Sequence, residues 1–453
     1  MGVKDSMKDL TKGNPSKLII QFAIPIFIGN IFQLFYSLAD TRIVGSTLGD
    51  EALAAVGATS TINNLIIGFL IGLTNGFAII VARDFGAQKL EQLRKDLGGT
   101  LKLGIAISLL LTVLSVIFLE PILRLLNMPE ALMTDGIAYI RVILLGMTAA
   151  MLYNVCASVL RAIGDTITPL IFLIFSTIMN IGLDYLLILG FHTGVAGAAY
   201  ATVISQSVAA IMCFVYIWKR YPMLHLRKSD FIRDSKLEKS LLISGLSMGM
   251  MQSLVSLGTV ALQGAINTLG TYTIVAHTGA RKITEIFMLP FGVLGMTMAT
   301  YCGQNLGAGE ITRIQKGLKQ VILVAWIWCA LVVVASYTIA PVLVRLVTAT
   351  STKEVIETAS LYLRIDTLVY FIPAMISILR NALQGIGDHI TPIVSSFIEL
   401  IGKVLIAIYL TPYLKYMGII LAEPIVWVLM VIPLIIRIYT IPQLKCEKKL
   451  NAV

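Results

Sequence analysis

Along this chain of 453 residues, apolar positions run in long, nearly uninterrupted blocks, and polar residues gather in the gaps between them. Blocks of that kind predict membrane-crossing helices, because about 20 apolar residues in helical form span roughly 30 Å of hydrocarbon. Twelve are expected, near 18–44, 53–82, 99–119, 134–160, 168–189, 196–218, 240–266, 275–302, 317–339, 354–384, 391–412 and 418–440. Several exceed the span length, which predicts tilt or ends that project past the bilayer. Composition agrees: with 57% hydrophobic and 13% charged residues, the solvent for most of the surface is lipid.

The blocks occur in two copies. Val159-Leu-Arg-Ala-Ile-Gly-Asp-Thr-Ile-Thr-Pro169 recurs as Ala382-Leu-Gln-Gly-Ile-Gly-Asp-His-Ile-Thr-Pro392, 223 residues later. Tyr139-Ile-Arg141 is echoed by Tyr362-Leu-Arg364 at the same offset, and Thr47-Leu-Gly49 and Gly86-Ala87 by Thr268-Leu-Gly270 and Gly307-Ala308 at an offset of 221. Duplicated membrane bundles are a transporter architecture, with the site between the halves. The expected fold is an all-α membrane protein of twelve transmembrane helices in two pseudo-symmetric six-helix bundles around a central cleft. Residues 1–218 form the N-terminal lobe, 219–239 a cytoplasmic linker, 240–440 the C-terminal lobe and 441–453 a cytoplasmic tail.

The net charge of +10 raises the question of a nucleic-acid partner. Lys and Arg concentrate in the terminal segments and even-numbered loops, however, which is the positive-inside bias of a protein with both termini cytoplasmic. The charge is topological, and no nucleic-acid partner is expected. The linker, with Lys219, Arg220, Arg227, Lys228, Arg233, Lys236 and Lys239, reads the same way, with a lipid-headgroup or regulatory role as the alternative. The first apolar block follows Lys4, Lys8, Lys12 and Lys17 but is too long for a signal peptide and has no small-residue cleavage site. Cys156, Cys213, Cys302, Cys329 and Cys446 show neither metal-ligand spacing nor obvious pairing and read as packing residues.

A carboxylate at mid-bilayer costs about 2.5 to 3.5 kcal/mol on insertion scales, so each one inside an apolar block calls for an explanation. Asp40 lies toward the outer end of helix 1 and Asp184 in the outer half of helix 5. Tyr36 and Asn180, each four residues earlier, share their helix faces, and Thr202 enters from helix 6 at a matching depth. These five residues are expected to line one polar pocket; the alternative is that Asp40 caps helix 1 in interfacial water and Asp184 bonds a neighbouring helix. The repeat-equivalent positions are Ala261 and Ala407, so the fold does not require acids there.

In the second half, Glu399 and Lys403 stand one turn apart and are expected to neutralise each other, or to face the cleft and touch substrate. Asp366 near Arg364, and the group Arg281, Lys282 and Glu285, carry no assignment. His277 reads as a hydrogen bond to a neighbouring helix or as a proton relay. Pro25 removes one rung of helix 1 and offers either a hinge or a static kink. Met250, Met251, Met288, Met296, Met298 and Met375 suit a surface that accommodates several ligand shapes, though membrane methionines also pack or face lipid.

Leu38-Ala-Asp-Thr-Arg-Ile-Val-Gly45, Leu53-Ala-Ala-Val-Gly57, Gln304-Asn-Leu-Gly-Ala308 and the twin Ile-Gly-Asp-x-Ile-Thr-Pro segments resemble the multidrug and toxic compound extrusion (MATE) transporters over essentially the whole chain. The resemblance implies two six-helix lobes around a cleft, alternating access, and export of amphipathic, often cationic compounds in exchange for H⁺ or Na⁺. It implies that Asp40, Asn180, Asp184 and Thr202 match the cation site of the DinF-like branch, with Tyr36 beside it and Pro25 at the proposed bend of helix 1. A paired carboxylate on helices 7 and 10, as in the NorM-like branch, is not evident, although Asp366 is a candidate for one member.

The expected function is therefore a secondary multidrug exporter in the cytoplasmic membrane. An ion arriving from outside neutralises the acids and weakens their hold on a cationic guest, and the two ligands favour different states. Oxygen ligands at Asp40, Asn180, Asp184 and Thr202 suit Na⁺, and the acids alone suit H⁺. Tyr36, Met250, Met251, His277, Glu399 and Lys403 are the expected substrate-cleft residues and Pro25 the hinge. No cofactor is expected, and a monomer suffices. The alternative is a flippase or exporter of lipid-linked or polysaccharide precursors, which calls for several cleft cations to hold pyrophosphate. No HExxH, GxSxG or His and Cys cluster points to an intramembrane enzyme, and Arg83 to Arg94 matches a major-facilitator loop signature only loosely.

Overall fold

The computed structural model describes residues 8–126 and 128–445, so Lys4, Cys446 and the rest of the expected tail from 446 lie outside the described residues. The described chain is helical: α1 Pro15–Leu48, α2 Asp50–Gly86, α3 Leu90–Ile117, α4 Leu119–Leu125, α5 Glu130–Leu145, α6 Met147–Ala162, α7 Ile167–Tyr185, α8 Val195–Arg220, α9 Ser235–Ile266, α10 Thr271–Gly307, α11 Ile311–Thr338, α12 Ala340–Thr348, α13 Lys353–Leu368, α14 Phe371–Ile386, α15 Ile390–Leu405, α16 Thr411–Leu414 and α17 Tyr416–Thr440. Ten of the described helical segments are long and apolar enough to cross a membrane, and two bent pairs bring the spans to twelve.

The bent pairs correct two of the expected helices. Residues 134–160 fall in α5 and α6, which meet at Gly146 with a 46° bend, because glycine is the poorest helix former short of proline. Residues 354–384 fall in α13 and α14, bent by 55°; Pro373, in the first turn of α14, has no N–H to carry the ladder across. The helices that leave the bilayer toward the short odd-numbered loops, α7 and α15, both end in a π-helical turn, Leu186–Gly190 and Ile406–Leu410.

Two compact units divide the chain, and two of the three boundaries between them fall inside helices, in α1 and in α9. The first unit holds Ile24–Gly249 and the described residues up to Asp9; the second holds Leu10–Ala23 and everything from Met250 onward. The first half of α9 joins the first unit because Gly72 and Gly76 of α2 let the main chain at Met248 and Ser244 approach. A Cβ on Gly72 would lie 2.5 Å from the Met248 carbonyl, and the Ser244 hydroxyl donates to the Gly76 carbonyl at 2.7 Å. The stretch expected as the linker packs on the same unit: Tyr221 and Leu224 are buried, and Asp230 faces Arg94 of α3 at 3.7 Å. Residues 10–13 join the second unit through the Gln304-Asn305 motif. Leu10 donates to Gln304 Oε1 at 3.1 Å and accepts from Asn305 Nδ2 at 3.2 Å, while Arg313 donates to the carbonyls of Leu10 and Gly13 at 3.1 and 2.8 Å.

The twin Gly-Asp-x-x-Thr-Pro segments form one local device, built twice. Gly164 and Gly387, at φ of 93° and 94°, end α6 and α14 in a left-handed conformation that a side chain would strain. The following aspartate caps the next helix. Asp165 accepts the Thr168 N–H at 3.0 Å and hydroxyl at 2.7 Å; Asp388 accepts the Thr391 N–H at 3.1 Å and hydroxyl at 2.9 Å. The repeat so conspicuous in the sequence is a turn and a cap, and it starts the helices that carry Asp184 and Lys403.

Candidate functional site

In the first unit, α1, α5, α7 and α8 bring their polar residues together. The Tyr36 hydroxyl lies 3.0 Å from Thr202 Oγ1, which also bonds the Ala198 carbonyl at 3.1 Å. In the amide orientation that satisfies both of its ends, Asn180 donates to Asp184 Oδ2 at 3.0 Å and accepts from the Thr202 N–H at 3.1 Å. Asp40 and Asp184 are close enough to interact electrostatically, and both act on Tyr36 and Tyr139. Asn180, Asp184 and Tyr139 are buried and Asp40, Tyr36 and Thr202 half-buried. One oxygen of each acid, Asp40 Oδ1 and Asp184 Oδ1, is buried without a hydrogen-bond partner. Orphaned carboxylate oxygens in a native interior call for an explanation, and a small cation or proton supplies one.

Tyr139 was not among the expected site residues. Its signal was the repeat itself, which pairs it with Tyr362, a residue at the polar centre of the second unit. Glu423 and Arg380 were also missed, each a single charge within an apolar stretch.

That second centre is a buried chain of alternating charge. Arg281 Nη1 donates to both Glu423 oxygens at 2.9 and 3.0 Å, Glu423 lies 3.5 Å from Lys403, Lys403 donates to Glu399 at 3.0 Å, and Arg380 donates to the other Glu399 oxygen at 3.2 Å. Tyr362 adds a 3.5 Å contact to Glu423. The expected Glu399 and Lys403 pair is present but is the middle of a five-residue network, and all five side chains are largely withdrawn from solvent. That geometry favours the pairing over contact with substrate.

The remaining expected residues scatter. His277 is buried, with Nδ1 3.3 Å from the Tyr416 hydroxyl and its ring edge-on to Tyr362, which fits the helix-to-helix hydrogen bond. Met250 is exposed and Met251 buried, so the two do not share a face. Lys282 and Glu285 form an exposed pair at 3.7 Å, apart from Arg281. Asp366 accepts from Tyr370 at 3.1 Å, while Arg364 lies over the Tyr337 ring. Pro25 sits inside an unbroken α1, next to the point where that helix passes from one unit to the other. Cys156, Cys213, Cys302 and Cys329 are buried free thiols.

Repeat-equivalent positions relate the two centres. Asn180 corresponds to Lys403 at an offset of 223, and Thr202 to Glu423 at 221, so one helix-to-helix contact is a hydrogen bond in the first unit and an ion pair in the second.

These features define a multi-pass membrane protein made by duplication, with ionisable residues inside each copy. The MatE family profile matches residues 25–186 and 248–409, one match per copy, and the chain belongs to that family of membrane transporters, the MATE family. It is 30% identical over 308 residues to the probable multidrug resistance protein YpnP of Bacillus subtilis, covering 68% of each chain. It is 29% identical over 403 residues to the probable multidrug resistance protein YoeA of the same organism, covering 87% of this chain and 86% of that one. In fold it resembles the outward-facing structure of a multidrug resistance MATE family transporter of the MOP superfamily, with a TM-score of 0.88 at 24% identity, covering 97% of this chain and all of that one.

Proposed function

We propose that this transporter is a secondary active multidrug exporter of the cytoplasmic membrane, with both termini cytoplasmic, that extrudes amphipathic and cationic organic compounds in exchange for H⁺ or Na⁺ by alternating access. The observation that carries this reading is the pair of orphaned oxygens, Asp40 Oδ1 and Asp184 Oδ1, beside the Asn180 amide that bonds the other Asp184 oxygen and the Tyr36 and Thr202 hydroxyls that bond each other. Among the described residues no group of three or more His, Cys, Asp or Glu is arranged to hold a metal. Two acids with hydroxyl oxygens nearby suit a transported monovalent ion.

The working cycle follows from charge. With both acids ionised, the pocket attracts an organic cation; a proton or Na⁺ entering from outside neutralises it and removes that attraction. Transport results because each ligand favours one state of the protein. Pro25 gives α1, which carries Asp40 and Tyr36, the weakened rung at which it bends. No cofactor takes part, and one chain is sufficient. The relatives' names support multidrug substrates. A lipid-pyrophosphate flippase is less well supported, because the second unit's Arg281, Arg380 and Lys403 are already committed to glutamates.

Efflux of a fluorescent organic cation from proteoliposomes, under separately imposed proton and sodium gradients, tests the reading. One gradient is expected to drive efflux, and Asp40→Asn to abolish the driven component while the protein remains folded in the membrane. Undiminished gradient-driven efflux in that variant would remove Asp40 from the mechanism.

A further inference from the structure

The polar stretch between α8 and α9 holds a tight turn that is pinned in place. The Arg227 N–H donates to Asp230 Oδ2 at 2.8 Å, and the same carboxylate faces Arg94 of α3 at 3.7 Å. The turn lies directly on α3, because a Cβ on Gly98 would come within 2.5 Å of the Asp230 carbonyl oxygen. A second tie follows it, from Lys102 of α3 to Glu238 of α9 at 2.6 Å. Held in this way, the turn leaves two large apolar side chains uncovered: Phe231 is 44% and Ile232 74% exposed, whereas Tyr221 and Leu224 are buried.

The turn sits where the helices around it change from charged to apolar surface. On α3, the exposed run of Ile105, Leu109 and Leu110 starts seven residues past Gly98, about 10 Å along the helix. On α8, exposed Phe214 and Trp218 give way to Lys219 and Arg220; on α9, Lys236 and Lys239 give way to exposed Ile243. The Trp218 ring stacks on His225 at 4.3 Å between centroids. This change of surface, with a tryptophan at it, marks the headgroup level of a bilayer.

The cations beside the apolar pair are open to a ligand. Lys228 and Lys236 have no ion-pair partner among the described residues, and Arg233, 3.9 Å from Glu238, shares that acid with Lys102. The nearby aspartates are engaged elsewhere: Asp230 is buried in the turn, and Asp234 caps α9, accepting from the Lys236 and Leu237 N–H groups at 3.0 and 3.1 Å. Topology accounts for the basic residues, but it does not call for an exposed Phe231 and Ile232 held among them. An apolar wedge flanked by cations is complementary to anionic headgroups lying over hydrocarbon. We propose that residues 228–236 form an interfacial anchor, in which Phe231 and Ile232 enter the headgroup layer and Lys228, Arg233 and Lys236 bind the phosphates of anionic phospholipids in the adjoining leaflet. The anchor depends on the membrane-spanning fold and not on the ion-coupled cycle proposed above.

The test places an apolar fluorophore on Ile232→Cys in the full-length protein, in a Cys446→Ser background that leaves only the buried cysteines. The protein is reconstituted in mixed phosphatidylcholine and phosphatidylglycerol bilayers. A nitroxide on the acyl chain of one lipid or the other is the quencher, and iodide reports exposure to water. The phosphatidylglycerol label is expected to quench in excess over the phosphatidylcholine label, the excess falling by up to about fivefold for each of Lys228→Gln, Arg233→Gln and Lys236→Gln. The same fluorophore on Ile105→Cys, in the exposed apolar run of α3, sets the reference for lipid contact without headgroup preference. Equal quenching by the two lipids at position 232 overturns the proposal. So does quenching by iodide and neither lipid, or shielding from all three, which would mean that another protein surface covers the turn.

Discussion

The buried charge chain of the second unit makes an unequal prediction for two neighbours. Replacing Lys403 with Met leaves two complete pairs, Arg281 with Glu423 and Arg380 with Glu399, each retaining its contacts at 2.9 to 3.2 Å. Replacing Glu423 with Gln instead strips Arg281 of its carboxylate partner and leaves three cations facing one glutamate. Breaking a buried pair so that one charge is stranded costs about 3 to 5 kcal/mol, whereas exchanging ionic for apolar groups without stranding a charge is often close to neutral. Lys403→Met is therefore expected to cost about 1 kcal/mol or less, and Glu423→Gln about 3 kcal/mol or more. A thiol-reactive dye suits the measurement, because Cys156, Cys213, Cys302 and Cys329 are buried and become reactive on unfolding. The thermal midpoint of Glu423→Gln should fall well below that of Lys403→Met. Equal losses in the two variants would show that Lys403 is indispensable in its own right and would refute the reasoning.

Asp388 carries a pH signature outside the membrane spans. Burial acts to raise its proton affinity, but the Thr391 N–H and hydroxyl and the Arg437 guanidinium outweigh it and hold the carboxyl below the usual range. Its folded value thus lies under the unfolded one of about 3.9, so its stabilisation is complete above that pH and lost as pH falls through the folded value. The gap in thermal midpoint between the wild type and Asp388→Asn should be full at neutral pH and close in acid; a constant gap would exclude the ionic contribution. The turn glycines give a paired comparison in the same dye assay. Gly387→Ala, with open space around it, should cost about 1 to 2 kcal/mol for its positive φ, and Gly164→Ala more, because its Cβ also meets the main chain of Lys8.

Much of the fold was legible because a bilayer leaves the chain few choices. Apolar blocks must be helices, since no water is present to satisfy an open backbone, and the duplicated motifs fixed two copies. The first-unit site was legible because depth along a helix is arithmetic, and Asp40, Asn180, Asp184 and Thr202 could be counted to one level. Other features depended on contacts between distant segments. Nothing local in Gly72 and Gly76 says that α9 will lie against them, so the boundary between units was placed at the polar linker instead of inside α9. Glu423 sits alone among apolar residues, and its partner Arg281 lies 142 positions away, so neither one predicts the network without the other. The α5–α6 and α13–α14 bends were missed because hydropathy does not register a change of direction.

The two copies show how one scaffold has been put to different uses. Where the first unit joins α7 to α8 through Asn180 and the Thr202 main chain, the second joins α15 to α17 through Lys403 and Glu423. Where the first places Asp40 and Asp184, the second has Ala261 and Ala407. A buried acid already matched with Arg or Lys gains little from a passing proton or Na⁺, because the ion must displace a partner that is covalently tethered and well oriented. An acid with an orphaned oxygen has no such competitor. Glu399 and Glu423 are of the first kind and Asp40 and Asp184 of the second. Asp366 of the second unit keeps an orphaned Oδ1 as well, so the contrast separates acids and not units: the charge chain through Glu399 and Glu423 is a structural brace, and the proposed exchange at Asp40 and Asp184 rests on their open oxygens.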